Sequence, residues 1–510
     1  MAIILNTFSL EGIEGNRVTV EASLLDGPNV FTIIGLAEQS VKEAGERIEA
    51  ALARYGFLLP EGKKVISLAP ADIKKRGSHY DLSIAICLLA QCGMIKAKNP
   101  GKYIYIGELS LNGDLRPVKG VLPMVSEAKK QGFTDIIVPF ENYHEAALLS
   151  GINIYPFKSL ASVISFLAGK TGSQDIEFPG ELFSDEEFQT LDFEDVKGQD
   201  ELIDAIVLGA SGGHNILMIG EPGCGKSMIA SRIPTILPSM SEEECLDVTK
   251  IYSIAGLLKK SGYLINKRPF RAPHHNASLN ALIGGGQGAT PGDVTLAHNG
   301  VLFLDEMTEF SRTTLEALRQ PLENRYVTIS RVNYSNTYPA DFMLVAAMNP
   351  CPCGYHPGKR CRCSDYEIQK YRNKISGPIL DRIDIQKNVR PVGYFDIKDS
   401  KGRSSKELKA IVERTRKIQQ KRYKDIPGVS NNAGMTPALI GKYCVLDRES
   451  DDILREACER HAYSARAINK MLKVARTSAD LDESENIRAK DILRVLSCRD
   501  LDSAEDLYVV

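Results

Sequence analysis

Three short apolar runs in the middle of the chain end in polar residues, and the hydrophobic pattern on either side of them divides the sequence. Asn215-Ile-Leu-Met-Ile219, Gly300-Val-Leu-Phe-Leu304 and Phe342-Met-Leu-Val-Ala-Ala-Met348 read as strands buried on both faces. The first leads through a glycine-rich turn into Met228-Ile-Ala-Ser-Arg-Ile233, which predicts the start of a helix. Upstream the pattern is mixed. Arg17–Ser23 alternates as a half-buried strand does, Gln39–Tyr55 carries Val41, Ala44, Ile48, Ala51 and Leu52 at helical spacing, and Lys64–Pro70 predicts another strand. Asp81–Gln91 predicts an apolar helix, Asn112-Gly113 a tight turn, and Asp135–Val138 and Asn153–Tyr155 two strands alternating with helices. Residues 1–168 therefore predict an α+β or α/β domain. Residues 169–190 are polar, acidic and aperiodic, as a linker is. An α/β module follows over 191–392. The remainder, 393–510, predicts helices only, beginning with Lys401–Lys424, dense in Lys and Arg but with Leu408, Ile411, Val412, Thr415 and Ile418 on one face. The whole is a multi-domain α/β chain.

The polar ends of the three central strands carry the chemistry. Gly220, Glu221, Pro222, Gly223, Cys224, Gly225, Lys226 and Ser227 form a glycine loop between strand and helix, the context that a phosphate-binding P-loop requires. Its backbone N–H groups can turn inward around phosphate oxygens, with Lys226 reaching the β- and γ-phosphates and Ser227 holding Mg²⁺. Asp305, at the end of the second strand, can bind Mg²⁺ through water, and Glu306 can polarise an attacking water. Asn349, after the third, can orient that water. Ligands bind at the carboxyl ends of strands in such sheets.

Composition narrows the partners. The 510 residues imply two to four domains, and 43% hydrophobic and 25% charged residues are ordinary for a soluble protein. No apolar run is long enough to cross a bilayer, and Met-Ala-Ile-Ile-Leu-Asn lacks signal-peptide features, so a cytoplasmic protein is expected. A net charge of −2 means that any DNA contact uses a local basic surface. Eleven Cys, an odd number, argue against a disulfide framework. Four of them cluster as Cys351-Pro-Cys353 and Cys361-Arg-Cys363. Two C-x-C pairs seven residues apart can wrap one tetrahedral ion and suit structural Zn²⁺, with His356 as a spare ligand; four unconnected surface thiols are the alternative. The stretch Asn324–Ser335, with Arg325 and Arg331, alternates like a hairpin that either tracks a nucleic-acid backbone or forms a solvated edge. The adjacent His274 and His275 show no convincing spacing to further metal ligands, which favours a structural or interface role.

Phe193–Gln199, the P-loop, Arg271-Ala-Pro-His-His275, Leu302–Glu306 and Ser376-Gly-Pro-Ile-Leu-Asp-Arg382-Ile-Asp resemble the magnesium-chelatase-like branch of AAA+ ATPases. With the N-terminal domain and Ser464-Ala-Arg466…Lys473-Val-Ala-Arg476-Thr, the whole chain resembles the YifB/ComM family. The resemblance implies an ATP- and Mg²⁺-dependent ring, a hexamer, that acts as a helicase in branch migration of DNA during natural transformation (competence), alongside recombination proteins and away from membranes. It implies branched or single-stranded DNA as partner. It makes Arg382 an arginine finger for a neighbour's γ-phosphate, Arg466 a sensor-2 arginine and 393–510 a helical lid. Met240–His298 would be an insertion near the ring opening; its glycine run Gly284–Gly288 reads on its own as a mobile loop rather than a second phosphate site. Gly107–Gly120 resembles strands of Lon-type protease domains, whose fold is ribosomal S5-like. By eye the nucleophile position falls on His79 and the lysine position on Leu122, with Ser78 and Lys119 displaced. That implies a Lon-like fold without peptidase activity, used for assembly or DNA binding. The rivals are a magnesium-chelatase-type motor subunit, disfavoured because that resemblance covers only the centre and end of the chain, an active Lon-like protease, and a slowly hydrolysing scaffold.

Overall fold

A computed structural model describes residues 3–172, 191–258, 264–286, 289–331, 334–393 and 401–503. The predicted linker thus falls largely outside the described residues. The chain forms two compact units, one of residues 1–186 and 242–265, the other of 187–241 and 266–510.

The first unit is built on a seven-stranded mixed sheet of order β3-β4-β2-β1-β5-β8-β9. Its members are β1 (Ile4–Glu11), β2 (Glu14–Leu25), β3 (Phe31–Ile34), β4 (Lys63–Ala69), β5 (Ile104–Tyr105), β8 (Asp135–Pro139) and β9 (Asn153–Phe157), while β6 (Glu108–Leu109) and β7 (Leu115–Arg116) make a separate small hairpin. β1 and β2 pair antiparallel, as do β2 and β4, whereas β5, β8 and β9 are parallel. The helix Asp81–Gln91 is buried continuously from Asp81 to Leu89, which explains its unbroken apolar character. The expected helix over Gln39–Tyr55 is present as two pieces, Gln39–Lys42 and Ala44–Arg54.

One element of this unit comes from far along the chain. The helix Glu242–Ala255 packs against Val121–Lys130, and Leu264 joins Leu122 and Leu148 in an apolar cluster. The fit is specific. The Ser253 hydroxyl bonds the Glu145 carboxylate, Ser253 O accepts from Gly120 N at 3.2 Å, and Leu122 N donates to Glu145 at 2.9 Å. Burial raises the Glu145 pKa. The apolar spacing Cys245, Val248, Ile251 behind three glutamates marks this helix in the sequence, but nothing in its pattern names its partner.

The second unit holds a five-stranded parallel sheet of order β11-β14-β17-β10-β18: β10 (Ile216–Gly220), β11 (Phe270–Arg271), β14 (Val301–Leu304), β17 (Met343–Met348) and β18 (Ile385–Val389). All residues of β10, β14 and β17 are buried, as the three apolar runs require. Two hairpins flank it, β12 (Gly284–Gly285) with β13 (Thr290–Pro291), and β15 (Tyr326–Arg331) with β16 (Tyr334–Pro339). The C-terminal part is helical, with Ser405–Tyr423, Arg448–His461, Ala465–Leu481 and Ala489–Leu496 as its main elements. A buried polar network fixes it. Asp480 accepts from Arg422 Nη1 at 2.7 Å and Asn432 Nδ2 at 2.9 Å, and Thr477 meets His214 Nε2 at 2.8 Å just beyond the helix Asp200–Gly212. The buried Asp480, Asn432 and Thr477 side chains thereby have partners, which favours one docking of the helices.

Candidate nucleotide site and cysteine cluster

The parallel sheet brings the predicted residues to one edge. β10 runs into the loop 221–225, where Gly223 and Gly225 take φ of +80° and +88°, conformations in which a side chain would be strained. Lys226 is nearly buried at the start of the next helix, its Nζ donating to Gly220 O at 2.6 Å, Glu221 O at 3.0 Å and Asn349 Oδ1 at 3.3 Å. Ser227 Oγ donates to Asp305 Oδ2 at 2.5 Å. The hydroxyl and the carboxylate expected to serve one Mg²⁺ therefore already touch, and this oxygen pair suits a hard divalent cation. Glu306 and Asn349 line one shallow cavity. The contacts follow from strand order, because β14, β17 and β10 are neighbours and each ends in one of these groups.

Arg382 and Arg466 lie elsewhere. Asn215, just before β10, donates from Nδ2 to Arg382 O at 2.8 Å and accepts from Leu344 N at 2.9 Å. Arg382 is thus fixed at the amino-terminal edge of the sheet. β10 is five residues long, so at ~3.3 Å per residue the P-loop is ~16 Å away at the other edge. The Arg382 guanidinium pairs with Glu323 at 2.6 Å, and Arg466, Lys470 and Lys473 line the same cavity. Asp384 borders it too; burial alone would raise its pKa, but Lys470, His214 and the Asn215 N–H together hold it down to about 2.

Arg325 is also in this cavity rather than along the hairpin where a phosphate contact was expected. It closes the helix Arg319–Asn324 at φ +60°, and this left-handed turn directs its guanidinium to Asp341 at 3.1 Å. The hairpin itself forms. Val327, Ile329, Asn336 and Tyr338 face inward, while Tyr326, Ser330, Ser335 and Thr337 are exposed. The side chain of Arg331 lies outside the described residues.

The four cysteines converge. Sγ–Sγ distances are 3.4 Å for Cys351–Cys353, and 3.7 Å for both Cys351–Cys361 and Cys353–Cys361, and all four sulfurs including Cys363 lie within 4.8 Å of one another. A tetrahedral zinc with Zn–S of ~2.3 Å separates its sulfurs by ~3.8 Å, so the donor set fits that ion. Backbone hydrogen bonds at Arg362 and Tyr355 hold the Cys353 thiol down to about 6. His356 stands outside this set. The loop rests on the P-loop: a Cβ on Gly354, at φ +85°, would meet Pro222 Cδ at 2.7 Å. That contact was not legible from spacing alone. Neither was His275, whose Nδ1 lies 3.5 Å from Glu306 Oε2.

The protease positions are not assembled into a dyad. Burial pushes the His79 imidazole down to about 4, and its Nε2 meets Phe8 O at 2.8 Å. Leu122 is a core residue. Ser78 bonds Glu108, and the Lys119 chain lies beside Gly256.

Comparison with known proteins gives the lineage. YifB of Salmonella typhimurium, itself uncharacterized, is 39% identical over 508 residues, spanning 98% of this chain and 97% of its own. The chain belongs to the YifB/ComM family. Competence protein ComM of Haemophilus influenzae is 38% identical over 507 residues, with 98% and 97% covered. Three family descriptions match in sequence: subunit ChlI of Mg-chelatase at 20–142, magnesium chelatase subunit ChlI at 192–397, and its C-terminal part at 402–499. The magnesium-chelatase likeness of this YifB/ComM member thus extends into the N-terminal unit, contrary to the expectation that it stops short of it. Lon protease 2 of Bacillus subtilis is 24% identical over 253 residues, 45% of either chain, a partial likeness. Among the described residues no helix is long and apolar enough to cross a membrane.

Proposed function

We propose that this chain is an ATP-hydrolysing subunit of a ring, a hexamer, that remodels DNA by moving branched junctions. The observation that carries the reading is the division of one phosphoryl-transfer site between opposite edges of one sheet. Lys226, Ser227, Asp305, Glu306 and Asn349 converge at the carboxyl edge, and Arg382 and Arg466 at the amino edge. Phosphoryl transfer depends on positioning and on cations around the γ-phosphate. At ~16 Å along the strand, a chain cannot supply its own arginine, whereas a head-to-tail neighbour can, and repeating that contact closes a ring. Ser227 and Asp305 hold Mg²⁺, Glu306 draws a proton from the attacking water, and Asn349 orients it. Cys351, Cys353, Cys361 and Cys363 hold a structural zinc that stiffens the loop against Pro222. Glu306→Gln is expected to bind ATP as wild type does and to lose most turnover, while Lys226→Ala weakens binding itself. Hydrolysis at the wild-type rate by Glu306→Gln rejects the assignment.

Likeness to a competence protein supports DNA as the partner. The exposed hydroxyl-bearing face of the β15–β16 hairpin fits sequence-independent contact with phosphates. The Arg325 ion pair shifts the expectation for each arginine. Arg331→Ala should weaken junction binding across sequences and flatten its salt dependence by about one contact. Arg325→Ala should instead impair ATP turnover, because it disturbs the cavity of Arg382. Equal losses of DNA binding in both variants count against this division. A chelatase-type motor is the second reading, favoured by the three family matches. ATPase and strand exchange on a synthetic four-way junction separate the two. If the protein shows no binding to branched DNA at low salt and no ATPase stimulation by it, the DNA reading is rejected.

A further inference from the structure

The segment that carries the four cysteines also carries a run of charge. Between Cys351 and Tyr366 it holds Lys359, Arg360 and Arg362 against a single acid, Asp365, in a protein whose net charge is −2. The three cations are exposed, and among the described residues none of them pairs with a carboxylate. Tyr366, in the first turn of the helix Asp365–Arg372, is 72% exposed. A single exposed ring needs no explanation, but this one closes a run of unpaired cations.

The backbone that presents these groups is fixed in advance. Gly354 N donates to Cys351 O at 3.0 Å, Gly358 N to Tyr355 O at 2.7 Å and Cys361 N to Gly358 O at 2.9 Å, so the loop is a succession of turns. The N–H groups of Tyr355 and Arg362 donate to the Cys353 sulfur. Arg360 Cζ lies 4.9 Å from the centroid of the Tyr355 ring, a cation–π contact that orders the side chain and leaves its N–H groups free. Glu367 Oε2 accepts from Ser364 N at 2.9 Å and Ser364 Oγ at 3.0 Å, which occupies that carboxylate in capping the helix. Ile368 and Tyr371 form the buried face of the helix, while Tyr366 and Lys370, one turn apart, are exposed. Little freedom remains for these groups to lose on binding.

Cations take phosphate oxygens without regard to sequence, and an exposed aromatic ring takes the face of any base. A duplex hides its base faces, so the combination selects an unpaired strand. We propose that the loop 354–363 and the first turn of the helix after it form a platform for single-stranded DNA, with Lys359, Arg360 and Arg362 on phosphates and Tyr366 stacked on a base. The inference rests on DNA as the partner and adds to the hairpin contact a site that senses strand opening. The platform adjoins the nucleotide site, because the same loop approaches Pro222 at Gly354.

The test is fluorescence anisotropy of a labelled oligo-dT with the full-length protein across a range of salt. Lys359→Gln/Arg360→Gln/Arg362→Gln is expected to bind more weakly and to flatten the slope of log K against log salt by about 2, as three contacts at ~0.7 each on a single strand require. Tyr366→Ala should bind about 5–100-fold more weakly with the salt slope unchanged, and Tyr366→Phe should bind as wild type does. On an abasic strand of the same length Tyr366→Ala and wild type should bind alike, since there is no base to stack. Basal ATPase without DNA should stay at the wild-type rate in every variant. Wild-type affinity for oligo-dT in either the triple variant or Tyr366→Ala overturns the proposal. So does an equal loss by Tyr366→Ala on the abasic strand, which would mark a structural effect. If the wild type binds a four-way junction but not oligo-dT, the platform alone is wrong. If it binds neither, the DNA reading falls, and the platform with it.

Discussion

Replacing Arg382 with alanine is expected to lower ATP turnover by ~10³–10⁵, the range that an arginine finger supplies, while leaving ATP binding by each subunit intact. The reason is geometric. Arg382 is pinned through Asn215 to the amino end of β10, so it has no path to its own P-loop. The loss should therefore be repairable by another subunit. Mixing Arg382→Ala with Glu306→Gln restores activity at interfaces where the first supplies an intact Glu306 and the second an intact Arg382. Turnover of the wild type should also rise more steeply than linearly with protein concentration. Failure of every mixing ratio to restore activity, together with a strictly linear concentration dependence, would place the arginine's action within one chain. Arg466 lines the same cavity, so its alanine variant should be complemented by the same partner.

Removing the metal that the four cysteines are shaped to hold should have the largest effect on stability. Structural zinc contributes on the order of 10–16 kcal/mol to the folding of small elements built around it. Protein purified under reducing conditions without chelator should contain one zinc per chain, and Cys351→Ala/Cys361→Ala should contain none. With no ion to draw them together, the side chains that pack within 4.8 Å of one another would then spread apart, Gly354 would lose its fixed approach to Pro222, and the P-loop would lose a wall. A lower Tm and weaker ATP affinity are expected together. Absence of metal from the wild type, or a metal-free variant with unchanged Tm, would show that the cluster is four packed thiols.

The carboxyl-edge site was legible because each part announces itself locally. Apolar runs of strand length end at Gly220, Asp305 and Asn349, and buried parallel strands must expose their polar ends at one edge. The cysteines were legible for a similar reason, since their spacing alone brings sulfurs together. Arg325 was misplaced because period-two alternation cannot show that its own residue turns left-handed at φ +60°. His275 was read as a structural or interface residue, and its approach to Glu306 was not legible because it follows β11, a two-residue edge strand too short to show a pattern. The helix Glu242–Ala255 was not read from the sequence, and its docking onto Val121–Lys130 depends on surfaces more than a hundred residues away. Local rules identify groups that cluster in sequence; groups that meet through chain topology need the fold.

That helix also changes what counts as a module. The first unit is completed by residues 242–265, which the chain reaches only after it has begun the second, so the backbone crosses between units three times. A gene fragment ending near residue 172 encodes a body with its apolar seam at Leu122 and Leu148 laid open, and one starting near residue 191 carries an orphaned helix with Leu264 uncovered. Neither half is a natural cloning boundary. Evolution by exchange of whole domains is hindered for the same reason: a replacement N-terminal unit would have to arrive with a matching groove for a helix encoded inside its neighbour.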